Sequence, residues 1–392
     1  MKNQFPLEKF KNITTPFYYY DVDLLQKTLQ SISSLITNKN IAVHYAIKAN
    51  FNKKLLTIIS SLGFGVDCVS KGEIKVALES GFPNSKIIFA GVGKTDDEIN
   101  YAIDQDIYCF NVESIPELEV IDLLAKEKRK IVNIAFRINP NIQAHTHSKI
   151  TTGLNENKFG ISLKDIYSII DQVVENKLYK NVKFIGIHFH IGSQILDMND
   201  FLPLCAFIND LNSKLLEKQI HPTFIDVGGG LGIDYTDPNS HPIPNFEEYF
   251  STYYNNIKLF PNQTLHFELG RSIVGQCGSL ISKVTYIKEG QTKKFAVIDA
   301  GMNDLIRPAM YGSVHYIEKL GGTEEEMDHK EKYDIVGPIC ESSDVFAKGV
   351  DMNILKRGDY IAIRSAGAYG ESMASSYNCR EIVKGYLSTE LK

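Results

Sequence analysis

The sequence lacks a dominant charge sign, a long apolar run and any cysteine framework. Its 392 residues carry 42 Lys+Arg against 47 Asp+Glu, a formal net charge of −5. With the signs interspersed, no basic stripe is available to gather phosphate backbones or anionic lipid, so nucleic acid and membrane are poor partners. No stretch approaches the roughly 18 uninterrupted apolar residues of a membrane span, and the opening MKNQFPLEKFKNITTP has no apolar centre of a signal peptide. The six cysteines (Cys68, Cys109, Cys205, Cys277, Cys340, Cys379) form no CxxC pair and no finger spacing. They are too sparse to staple a chain of this size and read as free thiols in a reducing, cytoplasmic setting. Low-complexity tracts and motif-level repeats are also missing, so organisation must come from periodicity.

What is present is an ordinary globular composition, with 43% AVILMFWYC residues, and a length that suits two or three domains. Eight short runs rich in Val, Ile, Phe and Tyr stand at 41–47, 64–69, 86–92, 107–112, 131–138, 182–191, 223–228 and 264–269. Their near-continuous apolar character suits parallel strands covered on both faces. Between them the spacing predicts helices such as 53–62, 71–80, 114–128, 163–177, 200–218 and 246–259. The fifth run leads from a helix with Ser114 as N-cap, Pro116 in the first turn and acidic Glu117 and Glu119 near the positive end of the dipole. Eight strand-then-helix units in one series predict an α/β fold, a (β/α)8 barrel, over 22–275. Beyond 275 the rhythm changes to strands punctuated by Gly turns, which predicts an all-β domain of sandwich or barrel type over 276–392. FYYYD at 17–21 also reads as a strand, and residues 1–21 are expected to join that domain.

In such a barrel the reactive end is the carboxyl end of the strands. Polar residues that follow or end the runs are Lys48, Asp67, Arg137, His188, His190, Gly228 to Gly230, Glu268 and Arg271. Desolvation of Lys48 would lower its pKa toward the free amine a Schiff base needs, although a lysine snorkelling to the rim is the commoner case. The GGGLG segment at 228–232 offers backbone N–H groups for a phosphate, and Ser193 could add a hydroxyl; both are also ordinary turn residues. His188 and His190, two apart on one strand, face the same side and could begin a metal site. No complementary ligand set is evident, so no metal is expected. Glu268 beside Arg271 reads either as a rim ion pair or as a carboxylate for a ring nitrogen next to a guanidinium for an anion. A lysine, a phosphate cradle, an imidazole and a carboxylate together describe a site for pyridoxal 5'-phosphate (PLP).

The motifs HYAIKAN (44–50), GVDCVSKGE (65–73), HFHIGSQ (188–194), DVGGGLG (226–232) and FELGR (267–271) resemble the barrel half of the fold-type III PLP decarboxylases. In the second domain DLIRPAMYGSVH (304–315), GPICESSD (337–344) and GAYG (367–370) resemble the branch of that family that acts on meso-diaminopimelate in lysine synthesis. The likeness runs from about residue 14 to 385 in the expected order. Leu269 departs from it, because the family usually has proline there.

The resemblance implies Lys48 as the lysine that carries PLP, His190 against the ring face and His188 behind it. It also implies Glu268 on the ring nitrogen, and a phosphate held by Ser193, the turn Gly228, Gly229 and Gly230, and the turn of Gly270 and Arg271. For the substrate it implies Arg271, Arg307 and Tyr311 on the distal carboxylate and Glu341 on the distal ammonium. Tyr369 would touch cofactor and substrate, and Cys340 would reprotonate the carbon that loses CO2. Cys340 and Glu341 would reach the partner's cofactor, so a homodimer with shared active sites is implied, and the polar loop 141–160 is expected to act as a lid. The competing readings are a decarboxylase of ornithine, arginine or carboxynorspermidine, a racemase of the same fold, a catalytically inactive regulatory relative, and a metal-dependent barrel hydrolase.

Overall fold

The computed structural model describes residues 5–36, 40–142, 158–175, 178–322 and 329–391. In chain order its strands are β1 (Phe17–Tyr20), β2 (Ile41–Ala46), β3 (Gly65–Cys68), β4 (Ile87–Phe89), β5 (Cys109–Val112), β6 (Val132–Arg137), β7 (Val182–His188), β8 (Phe224–Asp226) and β9 (Thr264–Leu269). Then follow β10 (Gly278–Glu289), β11 (Lys294–Ile298), β12 (Ile317–Leu320), β13 (Lys330–Val336), β14 (Val345–Asn353), β15 (Tyr360–Ile363) and β16 (Lys384–Leu387). The chain divides into two compact units. One comprises Leu29–Gly232 and Asn245–Gly270, the other Met1–Thr28, Ile233–Pro244 and Arg271–Lys392.

The first unit is a closed barrel of β2 to β9 in sequence order, every pair parallel, with β2 against β9 to complete the ring. The eight apolar runs are its eight strands. The helices form where amphipathic spacing and caps allow them. Ser114 accepts from the Glu117 N–H to begin Ile115–Glu127, with Pro116 in the first turn as read from the sequence. A helix over Asp96–Asp104, absent from the helices named above, is begun by a capping box in which Thr95 and Glu98 bond each other's backbone. The body of the expected lid, residues 143–157, lies outside the described residues.

The barrel interior is filled. Phe224 packs with Ile88, Cys109, Ala135 and Ile185, and its ring would lie 2.4 Å from a Cβ at Gly186, so that strand position admits only glycine. Phe224 also stacks on His266, with centroids 4.4 Å apart, and His266 Nδ1 lies 3.2 Å from His44 Nε2.

The second unit is mainly sheet, in the order β12-β15-β10-β11-β13-β14. Strand β1 joins it as expected, antiparallel to β10 (Phe17 opposite Ile281) and parallel to β16 (Phe17 opposite Lys384). Its core gathers Phe10, Phe17, Tyr19, Ile281, Leu320, Tyr360, Ala362 and Leu391, which ties both ends of the chain into one cluster. No helix among the described residues is long and apolar enough to cross a membrane.

The His44–His266 pair makes stability depend on pH. Burial drives both pKa values down, that of His44 to about 4, so both rings are neutral in the fold and take up protons on unfolding below about pH 6.5. Folded pKa values below the unfolded ones mean that stability is lost as pH falls from about 6.5 toward 4, with each histidine contributing up to about 1.4 kcal/mol per pH unit. Urea unfolding at pH 7.5, 6.0 and 5.0 should show this slope, and His44→Gln should reduce it. An unchanged slope in the variant would refute the assignment.

Candidate active site

The barrel strands bring most of the expected residues to one place. Lys48 sits in the single 3-10 turn Ile47–Ala49 that follows β2. Its Nζ is 2.6 Å from Oδ2 of Asp67, at the end of β3. Burial and the nearby Glu268 charge push the Asp67 carboxyl upward, and Lys48 opposes them. A lysine held this way is anchored in the mouth, unlike one snorkelling along the rim.

Glu268, near the end of β9, is buried. Its Oε2 lies 3.2 Å from His188 Nε2 and its Oε1 accepts from Asn111 Nδ2 at 3.3 Å. Burial alone would raise its pKa. The His188 ring, Lys48 and His190 outweigh that and hold the group well below the usual carboxylate range. His190, just past β7, accepts the Gly229 N–H on Nδ1 at 3.2 Å. Burial, then Arg137 and Lys48, lower its pKa to about 3, so the ring is neutral at physiological pH.

The glycine turn has no room for side chains. A Cβ on Gly228 would lie 2.4 Å from the Phe189 carbonyl oxygen, and one on Gly229 would lie 2.1 Å from that of Glu268. Gly228 and Gly230 have φ of +71° and +115°. Gly230 is packed against the loop that carries Ser193: its carbonyl accepts from the Ile195 N–H at 2.9 Å, and its Cβ position lies 3.2 Å from the Gly192 oxygen. Leu269, the departure from the family motif, continues β9 opposite Tyr45 and is buried. Gly270 follows it.

The two histidines of the pair face different partners. His188 turns to Glu268 and His190 to the glycine turn. His188, Asp226 and Glu268 do present ligand atoms within 4.8 Å of one another. Glu268 already bonds His188 and Asn111, while Asp226 Oδ1 accepts the Gly228 N–H at 2.8 Å.

In the second unit Arg271 opens the short helix Arg271–Val274 and Arg307 opens Arg307–Tyr311. Both guanidinium groups are buried among aromatic rings. Arg271 lies 4.8 Å from the Tyr369 centroid, Arg307 lies 5.3 Å from that of Tyr311, and Arg271 Nη1 donates to Tyr235 Oη at 2.5 Å. Cys340 and Glu341 share no hydrogen bond with this cluster and are exposed.

Sequence reasoning passed over Asn111, Asp226 and Tyr235. The first two are polar residues inside apolar strands, fully buried, and that mismatch is itself a signal, because burial of a polar group is costly unless it is hydrogen-bonded or paired. Tyr235 lies in a loop and had no such signal.

A model of the pyridoxal-dependent decarboxylase pyridoxal binding domain matches residues 22–275. The diaminopimelate decarboxylase of Bacteroides thetaiotaomicron is 60% identical over 392 residues, covering 100% of both chains. This chain belongs to the diaminopimelate decarboxylases. The enzyme of Helicobacter pylori strain J99 is 39% identical over 376 residues, 95% of this chain and 90% of that one. A crystal structure of the Helicobacter pylori enzyme complexed with L-lysine superposes with a TM-score of 0.89 at 38% identity, covering 97% of this chain and 93% of the other.

PLP is the cofactor of this family, and the barrel mouth fits it. The backbone of three successive glycines packs closer to the Phe189, Glu268 and Gly192 carbonyls than any side chain allows, a buried carboxylate is held ionised, and an anchored lysine stands nearby. Gly229→Ala should therefore weaken PLP binding at least tenfold and destabilise the fold by about 2 kcal/mol. Titration of the apo-protein with PLP, followed by absorbance, together with urea unfolding, checks both effects. Wild-type PLP affinity in the variant would refute the cradle.

Proposed function

We propose that the residues described here carry out the family reaction, release of CO2 from meso-2,6-diaminopimelate to leave L-lysine. Arg307 is the observation that carries the substrate assignment. Its guanidinium is buried between Tyr311 and Tyr369, and it has no carboxylate partner among the described residues. A buried charge without a counter-ion is costly, so the site calls for an anionic ligand group. The distal carboxylate of diaminopimelate answers it, with Arg271 and Tyr311 as further donors. Ornithine has no such group, so the pocket disfavours it.

Lys48 would carry the cofactor, and Ser193, Gly228 to Gly230 and Gly270 of the barrel, with Arg271 of the second unit, would hold its phosphate. PLP, when bound, supplies the electron sink for the charge left by departing CO2. Glu268 accepts a charge-assisted hydrogen bond from the pyridine N–H and keeps that proton in place. The neutral His190 ring offers a flat surface without a competing positive charge. Tyr369 contacts cofactor and substrate. Cys340 Sγ donates the proton that replaces CO2, and Glu341 accepts from the distal ammonium.

Cys340 and Glu341 act in the site of a partner subunit, in a homodimer of cytoplasmic protein. Their exposure in the single chain supports this, and the six unpaired thiols suit a reducing compartment.

CO2 and L-lysine should appear from meso-diaminopimelate when PLP is supplied. Failure of PLP-loaded protein to turn it over would refute the substrate. Neither Lys48→Ala nor Cys340→Ala protein should be active, whereas mixing them should restore part of the activity, up to about one quarter if subunits exchange at random and each site needs one residue from each chain. No rescue, with subunit exchange confirmed, would exclude shared sites.

A further inference from the structure

Two residues of one short loop grip the Cys340–Glu341 dipeptide. Tyr377 Oη donates to Glu341 Oε1 at 2.6 Å, and Asn378 Oδ1 accepts from the Cys340 backbone N–H at 3.4 Å. The backbone of the dipeptide is fixed by other bonds: the Glu341 N–H reaches the Ile339 carbonyl at 2.8 Å, and the Glu341 carbonyl accepts from the Asp344 N–H at 3.1 Å. Asp344 in turn accepts the Ile339 and Met302 N–H groups, both at 2.7 Å. The Glu341 side chain, by contrast, is exposed and long, and Tyr377 is its one partner among the described residues. Without that bond the carboxylate would populate several rotamers, an entropy that substrate binding would have to remove.

We propose that Tyr377 is a positioning residue that orients Glu341 for the distal ammonium of the substrate and so contributes to specificity. The inference rests on the role assigned to Glu341 above. One carboxylate oxygen is taken by the phenol, and Oε2 is left open for an ammonium. A hydrogen bond to a charged acceptor at this length is of the stronger class. Hydrogen bonding to Glu341 also raises the phenol pKa, which keeps Tyr377 a donor. The loop that presents it holds an unfavourable backbone: Asn378 and Cys379, neither a glycine, both have φ of +56°. Consecutive left-handed residues of this kind cost free energy and persist where the surrounding contacts demand them.

The test uses PLP-loaded Tyr377→Phe protein and two substrates, meso-diaminopimelate and 2-aminopimelate, which keeps the distal carboxylate but lacks the distal amino group. For diaminopimelate, kcat/KM should fall about fivefold to tenfold, chiefly through KM, whereas 2-aminopimelate should change by less than about twofold. A second readout is independent of turnover: calorimetric affinity for L-lysine should fall by a similar factor, while that for 6-aminohexanoate, which lacks the α-ammonium, should not. Equal losses for both members of each pair would mark a merely structural tyrosine and overturn the proposal. Glu341→Gln separates the two ideas. If it is selective and Tyr377→Phe is not, the positioning role alone falls; if Glu341→Gln is itself unselective, the Glu341 reading falls and takes this one with it.

Discussion

The glycine turn and Glu268 are locked together through their backbones, and the barrel mouth is arranged around that lock. The Glu268 N–H donates to the Gly228 carbonyl at 2.8 Å, and the space where Gly229 would carry a Cβ is taken by the Glu268 carbonyl oxygen, 2.1 Å away. The glycine turn and Glu268 are thus neighbours on adjacent strands whose separation is fixed by main-chain bonds. Side-chain rotamers have no say in it. Asp226 extends the lock by accepting the Gly228 N–H, and the Val227 N–H reaches the His266 carbonyl at 3.0 Å. A site built this way meets the demand that reactive groups be held on rigid elements.

The same crowding decides which acid is ionised. Asp67, Asp226 and Glu268 are all buried, and three unscreened carboxylates cannot share one low-dielectric pocket at neutral pH. Burial and the Glu268 charge push Asp226 far up, whereas His188 and Asn111 give Glu268 the contacts of an anion. Neighbouring carboxyls with opposite tendencies are how a fold assigns different tasks to identical groups. The second unit solves the converse problem. There Arg271 and Arg307 are packed on aromatic faces, and the Arg307 charge, with no carboxylate beside it among the described residues, remains available for an anion.

Much of this is legible in the amino-acid sequence, for a definite reason. Parallel strands covered on both faces need near-continuous apolar runs, so the runs themselves gave the barrel, and its active end directed attention to Lys48, His190, Gly228 to Gly230 and Glu268. The fold-type III likeness supplied the expected roles of Arg307, Tyr311, Cys340 and Glu341, which no periodicity marks. Asn111 and Asp226 were hidden because a single polar residue inside an apolar run is outvoted by its neighbours. Tyr235 and Tyr377 were hidden for another reason: each meets its partner, Arg271 or Glu341, 36 residues away in the chain. Such a separation is set by how loops fold back, and no local spacing encodes it.

Closure of the barrel also positions Lys48. Strand β9 runs on to Leu269, opposite Tyr45 of β2, and Gly270 follows it. A Cβ there would lie 3.0 Å from that of Ala49 and 3.2 Å from that of Ala46, the residues on either side of the Ile47–Lys48 pair. Tyr45 Oη donates to the Asn50 carbonyl at 2.9 Å and pins the far side of the turn. The seam that completes the ring therefore also sets the height of the amine relative to Glu268, two residues before Gly270. Leucine in place of the usual proline leaves this seam intact, because the close approach is made by the glycine that follows and by the two small residues opposite it.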